Sequence, residues 1–281
     1  MVETPAASFT YCLNTSTIAG QKLSLPAMID LAASAGFKAI EPWIGEIVAY
    51  QKKGGSLKEL RQQIEDRGLV VASAIGFAQW IVDDDATRRA GLEEAKHDID
   101  LIARLGGKFI AAPPMGHHEK PGLNLLAAAR RYADLFDLAK SFGVTPLLEV
   151  WGPSKSLHRL GEALYIAAES QRPAQLLLDV FHLYKGGSTH AGLRLINGNQ
   201  LPVFHVNDYP ANPPREQITD ADRVFPGDGI APLKDIFTTL RNIRAKSFLS
   251  LELFNPSYYQ QDAMEVLTTG LRKMREAVEE S

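Results

Sequence analysis

One phrase repeats along the chain: an amphipathic stretch at helical spacing, a glycine, then a short apolar run without strict alternation. Leu31-Ala32-Ala33-Ser34-Ala35-Gly36 leads into Phe37-Lys38-Ala39-Ile40-Glu41, and Ile64-Glu65-Asp66-Arg67-Gly68 into Leu69-Val70-Val71-Ala72-Ser73. Ile102-Ala103-Arg104-Leu105-Gly106-Gly107 leads into Lys108-Phe109-Ile110-Ala111-Ala112, and Leu138-Ala139-Lys140-Ser141-Phe142-Gly143 into Val144-Thr145-Pro146-Leu147-Leu148. Glycine just past a helix end accepts the left-handed conformation that closes it. An apolar run of this kind is what a strand buried on both faces requires. Together with four further apolar runs, the pattern predicts strands near 9–14, 37–42, 69–75, 108–112, 144–150, 175–181, 202–208 and 248–254. Helices fit between them at Thr87–Leu105, Leu123–Phe142, Pro232–Ile243 and Ala263–Glu279, with Asp85 as the N-cap of the first. Strand-helix units of about 35 residues fill residues 1–281, which predicts one α/β domain, a (β/α)8 TIM barrel. A doubly wound sheet is the other solution, but no G-x-G-x-x-G or P-loop phosphate turn occurs.

Composition narrows the class without changing that picture. The 281 residues are 45% hydrophobic and 22% charged, the balance of an ordinary globular chain. Cys12 is the only cysteine, so no internal disulfide is possible. Lysines and arginines number 30 against 33 acids, a net charge of −3, which argues against a nucleic-acid partner. No apolar run approaches the roughly 18 residues of a membrane span. The opening Met1-Val2-Glu3-Thr4-Pro5 lacks a basic stretch followed by an apolar core, so a cytoplasmic protein is expected.

Candidate chemistry lies where strands five to eight should end, the face on which barrels of this kind carry their active sites. Glu149 ends Leu147-Leu148-Glu149, Asp179 ends Leu176-Leu177-Leu178-Asp179, His205 follows Val203-Phe204, and Glu252 follows Leu249-Ser250-Leu251. Charged groups inside apolar runs are expensive to bury unless paired or liganded. Alternation puts Glu149 on the face of Leu147, Asp179 with Leu177 and His205 with Val203. If those faces point inward, three carboxylates and an imidazole converge and repel unless a cation joins them. One divalent ion is expected; three oxygens and a nitrogen suit Mn²⁺, Mg²⁺, Co²⁺ or Zn²⁺ alike.

Around this set, His182 lies three residues past Asp179, placed to touch a substrate oxygen. Arg223, in Arg223-Val224-Phe225-Pro226-Gly227-Asp228-Gly229, is positioned over the barrel mouth to hold a hydroxyl or oxyanion. Asp208 and Asn14, at strand ends, are candidates for sugar hydroxyls, whereas Glu41 reads more simply as a partner for a nearby basic residue. Trp43, Trp80 and Trp151 fall on or after strand ends, where aromatic walls suit ring-shaped polyols. His117 and His118 are cleft-lining at most, and His97 and His158 read as surface residues.

These residues resemble a known family. Glu149, Asp179-x-x-His182, His205 and Glu252, in that order on strands five to eight, resemble the xylose isomerase-like sugar isomerase and epimerase barrels. The phrases Cys12-Leu13-Asn14, Leu178-Asp179-Val180-Phe181-His182, Phe204-His205-Val206-Asn207-Asp208, Thr219 to Gly227, and Leu251 to Tyr259 are most similar to the inosose isomerases of inositol catabolism. The loop Val150-Trp151-Gly152-Pro153 and the His117-His118 pair depart from the family pattern. The resemblance implies one divalent metal held by Glu149, Asp179, His205 and Glu252, a substrate contact by His182, and Arg223 beside it. It further implies an isomerase that moves a carbonyl between adjacent carbons of a polyol ketone through a cis-enediolate, with Glu149 or Glu252 as base. Alternatives on the same site are a ketose 3-epimerase and an inosose or dehydroshikimate-type dehydratase. A metal-dependent DNA-repair endonuclease fits the charge and histidine content poorly, and a non-catalytic sugar-binding barrel is the remaining reading. The expected partner is a small polyol ketone or sugar, with Trp151 among the residues that hold it.

Overall fold

Four glycines, Gly36, Gly68, Gly106 and Gly143, follow helix ends with φ of +101°, +67°, +87° and +72°. Each turns the chain from a helix back toward the sheet, which is the role the repeated phrase assigns them. The computed structural model describes residues 8–281, so the opening Met1 to Pro5 lies outside the described residues. The strands are β1 (Ser8–Asn14), β2 (Ala39–Glu41), β3 (Val70–Val71), β4 (Phe109–Ala112), β5 (Thr145–Glu149), β6 (Gln175–Asp179), β7 (Val203–Val206) and β8 (Lys246–Leu251). Between and after them run α1 (Leu25–Ala35), α2 (Ile44–Lys52), α3 (Leu57–Asp66), α4 (Asp85–Arg104), α5 (Leu125–Lys140), α6 (Leu160–Glu169), α7 (Val180–Lys185), α8 (Leu233–Asn242) and α9 (Ala263–Glu279).

All strands are parallel, in the order β3-β2-β1-β8-β7-β6-β5-β4. The ends of that order meet through the Ala111 N–H, which donates to Ala74 O just past β3 at 2.9 Å. This closure makes the sheet a TIM barrel, as the spacing predicts. Ile75, Ala111, Leu147, Leu177 and Val203 form one apolar cluster in its interior. Leu148, Leu178, Phe204 and Leu249 belong to the larger cluster between sheet and helices. Alternation therefore resolves as expected: Glu149, Asp179 and His205 share the inward face with Leu147, Leu177 and Val203. Each fully buried Leu or Phe contributes roughly 1.5–3 kcal/mol to holding the two layers together. Among the described residues no helix is long and apolar enough to cross a membrane.

Several boundaries depart from the periodicity, and the seventh and eighth strands end early, at Val206 rather than 208 and at Leu251 rather than 254. The third strand is paired only at Val70–Val71, shorter than 69–75, although Ile75 still bonds to Pro42 O (3.1 Å) and bridges Trp43. The sixth stops at Asp179 rather than continuing to 181, because Asp179 caps α7 by accepting the His182 N–H (2.7 Å). Asp84, not Asp85, caps α4: its carboxylate accepts the Thr87 N–H at 2.8 Å, leaving Asp85 as the first helical residue.

Candidate metal centre

Asp179, His205 and Glu252 come from three adjacent strands. The sheet register pairs Asp179 with His205 directly, and Glu252 stands one residue past β8, its N–H still donating to Val206 O (3.3 Å). Each offers one ligand atom, and the three atoms lie within 4.8 Å of one another, all buried. His205 Nδ1 is 3.1 Å from Glu252 Oε2 and 3.7 Å from Asp179 Oδ2, yet makes no hydrogen bond. Its other nitrogen, Nε2, lies 2.9 Å from Glu41 Oε2. Once a cation displaces the proton that the charged ring holds on Nδ1, the carboxylate on Nε2 would fix the tautomer and leave the Nδ1 lone pair for a ligand. A buried nitrogen and two carboxylate oxygens directed at one point are a donor set that fits a small divalent cation.

Glu149 ends β5 on the same face but is not part of that tight group. Its Oε2 is buried without a partner. Burial raises its pKa to about 8, with His205 opposing the rise and Glu252 adding to it. Burial first, and the Glu252 and Glu41 carboxylates after it, thus keep a proton on Glu149 when no cation is bound. Burial alone would lower His205, but the Glu252 and Glu41 carboxylates outweigh it and raise the imidazole well above its ordinary value. For Glu252, burial acts upward and is outweighed by His205 and Arg223, so its pKa is lowered.

Arg223 is the second cation of the site. Its Nη1 donates to Asp179 Oδ2 (3.0 Å) and Glu252 Oε2 (2.7 Å), and Nη2 pairs with Asp220. The guanidinium lies over the Phe181 ring at 4.6 Å and near Phe254 at 5.1 Å, buried to 1% exposure. Nη2 also lies 3.3 Å from His182 Nε2. Arginine has only donors, so that nitrogen accepts and the neutral ring carries its proton on Nδ1. Burial lowers the His182 pKa, which agrees with a neutral ring, and Nδ1 has no protein partner. His182 thus sits on α7 rather than in an open loop, with a free N–H donor at the cavity wall.

Two expected substrate contacts are engaged elsewhere. Asn14 is fully buried: Nδ2 donates to Glu41 Oε2 and Glu252 Oε1, both at 3.0 Å, while Oδ1 accepts from Ser16 N (3.0 Å) and Trp43 Nε1 (2.9 Å). It holds the two glutamates in place and has nothing left for a sugar hydroxyl. Asp208 lies off the cavity and accepts the N–H groups of Tyr209, Gly227, Gly229 and Ala231 at 2.7, 3.0, 3.1 and 2.8 Å. Its carboxylate is the anchor of the turn after Arg223.

Sequence reasoning did not identify Asn207 as a positioning residue. Its Oδ1 accepts the Phe181 N–H (3.0 Å) and its Nδ2 donates to Asp179 Oδ2 (2.8 Å), tying β7 to the start of α7. Glu41 is the basic-residue partner expected of it, the base being His205; Ser250 Oγ adds a bond at 2.7 Å. Of the tryptophans, Trp43 and Trp151 line the cavity, whereas Trp80 is buried with its N–H on Pro113 O (2.9 Å). His118 also lines the cavity, but His117 is buried against Asp83 (3.2 Å), and His97 lies mid-helix on an exposed face. His158 is half-buried just before α6, hydrogen-bonded to Ser156 O at 3.0 Å.

The cavity above these residues has a volume of about 350 Å³. Glu149, Glu252, His182 and Arg223 contribute its polar lining, and Trp43, Ile75, Phe77, Trp151 and Phe254 its apolar lining.

Residues 29–277 match the model of the xylose isomerase-like TIM barrel family. The chain therefore belongs to that family. It is 26% identical over 271 residues to an inosose isomerase of Bacillus velezensis, covering 95% of this chain and 96% of that one. It is 28% identical over 263 residues to an inosose isomerase of Halalkalibacterium halodurans, covering 92% and 93%. The crystal structure of an IOLI protein with a bound zinc atom superposes with a TM-score of 0.87 at 24% identity, covering 96% and 98%; at that identity it supports the fold alone.

Proposed function

We propose that this member of the xylose isomerase-like TIM barrel family is a divalent-metal-dependent isomerase that moves a carbonyl between adjacent carbons of a polyol ketone. The observation that carries the reading is the meeting of Asp179, His205 and Glu252 at the C-terminal strand ends, with the unpartnered Nδ1 of His205 turned toward both carboxylates. Similarity to inosose isomerases over nearly the whole chain supports the substrate class.

Asp179, His205 and Glu252 would hold the ion, with Glu149 completing the set from β5. When bound, a divalent cation polarises a ketone oxygen and its neighbouring hydroxyl, making the intervening C–H more acidic. The remaining work falls to the chain. Glu252 is fixed by Asn14 and Arg223, whereas Glu149 has one oxygen free and holds a proton to about pH 8 in the metal-free protein. With a cation bound and that proton lost, Glu149 Oε2 would be the atom that takes a proton from one carbon and returns it to the next. His182 Nδ1–H donates to the oxygen that gains charge as the enediolate forms, and the Arg223 guanidinium keeps His182 in that tautomer. The aromatic side of the cavity excludes water from the intermediate.

Isomerisation of 2-keto-myo-inositol in D₂O by manganese-loaded protein tests this reading by NMR. The expected result is a positional ketone isomer carrying solvent deuterium at the carbon that receives the proton. Loss of water to an enone or dione would instead identify a dehydratase. Product differing only in configuration beside the ketone would identify an epimerase.

A further inference from the structure

A cyclic polyol ketone carries hydroxyls all round its ring, and the contacts proposed above account only for the oxygens at the reacting carbons. Most of the polar lining is already engaged. Glu149 and Glu252 face the ion, His182 and Arg223 face the oxygen that gains charge, and Asp220 accepts from Arg223 Nη2. The Trp43 N–H donates to Asn14 Oδ1 at 2.9 Å, and the Trp151 indole N–H acts on the Glu149 carboxyl. His118 is the polar lining residue left over.

Neither nitrogen of His118 has a hydrogen-bond partner among the described residues. Nδ1 is buried without one, and Nε2 is 3.8 Å from Glu119 Oε1, beyond hydrogen-bond distance. By contrast, His97, His117, His158, His182 and His205 each have a polar partner within 3.3 Å. Because Nδ1 is covered, Nε2 is the nitrogen left for a ligand.

The ring is nonetheless held in place. It stands edge-on to Trp151, with centroids 5.5 Å apart and planes at 75°. Its loop, between β4 and α5, is tied to the loop after β5. There the Lys155 N–H donates to His118 O at 2.6 Å, and Ser156 Oγ donates to His117 O at 3.2 Å. Beside it, His117 Nε2 lies 3.2 Å from Asp83, which also pairs with Arg131 at 2.9 Å. A polar group fixed in this way loses little freedom when a ligand bonds to it. His118 arrives from the loop after β4, outside the β5–β8 strand ends that carry the proposed ligands, so it meets a part of the substrate away from the reacting carbons.

Resting on the isomerase reading for the reacting end, we infer that His118 is a specificity-determining residue whose Nε2 hydrogen-bonds a ring hydroxyl remote from the ketone. A hydroxyl both donates and accepts, so either neutral tautomer of the ring serves. The class it selects is the polyhydroxylated ring, as against a ring bearing only the reacting pair of oxygens.

The test compares manganese-loaded parent, His118→Phe and His118→Gln. Two ligands are titrated: myo-inositol, and cis-1,2-cyclohexanediol, which keeps a single adjacent pair of hydroxyls. Broadening of ligand proton signals by the bound manganese gives each dissociation constant. The loop bonds use backbone carbonyls rather than the His118 side chain, so both variants should fold, and melting curves check this. The parent should prefer myo-inositol. His118→Phe should weaken myo-inositol by about 10-fold, the scale of one hydrogen bond, with little change for the diol. His118→Gln, which keeps a donor and an acceptor, should recover part of that loss. A parent without preference, equal losses for the two ligands, or unchanged myo-inositol affinity in folded His118→Phe overturns the proposal. The isomerase reading is scored separately, by deuterium uptake into 2-keto-myo-inositol in D₂O. A selective loss in His118→Phe without turnover in the parent sinks the reaction and keeps the contact; turnover without the selective loss does the reverse.

Discussion

The two sides of the barrel mouth are built by different means. On the β6–β8 side, three charged residues stand at or just past the ends of strands with continuous ladders, and Asn207 and Arg223 brace the carboxylates. On the β2–β4 side, a two-residue and a four-residue strand flank a seam carried by one backbone bond from Ala111, and rings fill the wall. Charge needs placement to a fraction of an ångström, so it sits on the regular part of the sheet and is braced by Asn14, Glu41, Asn207 and Arg223. Apolar surface needs only shape and dryness, so short strands and loops suffice for it.

The difference can be broken most severely at His205. His205→Ala is expected to lower metal affinity by more than about 100-fold, beyond the loss typical of an outer partner; equilibrium dialysis with Mn²⁺ or Zn²⁺ reads it. Retained affinity would mean that the three strand ends do not form the site. Next comes Arg223→Met, which leaves Asp179 and Glu252 buried without their guanidinium. The metal-free variant should lose roughly 3–5 kcal/mol in urea unfolding, because an unpaired buried charge is costly. A metal ion supplies the missing positive charge, so its stabilising effect should be larger in the variant than in the parent; an equal effect contradicts the arrangement.

The pH response of the metal-free protein sharpens the same contrast. Folded Glu149 binds its proton to about pH 8, whereas the unfolded carboxyl releases it near 4.5. Between those values the folded state holds a proton the unfolded state lacks, so stability is full below the lower value and declines as pH rises through the window. Melting curves in EDTA should show that decline in the parent and a shallower one in Glu149→Gln. A parallel pair of profiles would place Glu149 in contact with water or a fixed cation instead.

Smaller effects follow from the braces. Glu41→Gln should weaken metal binding by about 10- to 100-fold through poorer orientation of His205. Asp208→Ala should cost about 1–3 kcal/mol of stability by orphaning backbone donors in the Gly227–Ala231 turn, with metal affinity unchanged. A change in substrate KM without loss of stability would restore Asp208 to the substrate side.

Much of the charged side was legible because alternation is a strict rule on a strand. Leu147, Leu177 and Val203 are apolar and inward, so the residues two places on must share their face. The helix-closing glycines were equally legible, since their positive φ is a backbone requirement. What escaped was partner choice. Asn14 and Asp208 stand at strand ends as a sugar ligand would, but long-range geometry gives one to Glu41 and Glu252 and the other to four backbone N–H groups. Nothing in their local sequence distinguishes the two uses. The shortness of β3 also escaped, because Leu69 to Ile75 has an ordinary strand composition and its pairing depends on where β4 lies.

The central claim is that Asp179, His205, Glu252 and Glu149 share one divalent ion. Anomalous diffraction from crystals grown with Zn²⁺ tests it most directly. The account predicts a single strong peak about 2.0–2.2 Å from His205 Nδ1 and from an oxygen of each carboxylate. A fully bound ion elsewhere, or Arg223 still bridging Asp179 and Glu252 with no peak between them, would contradict it.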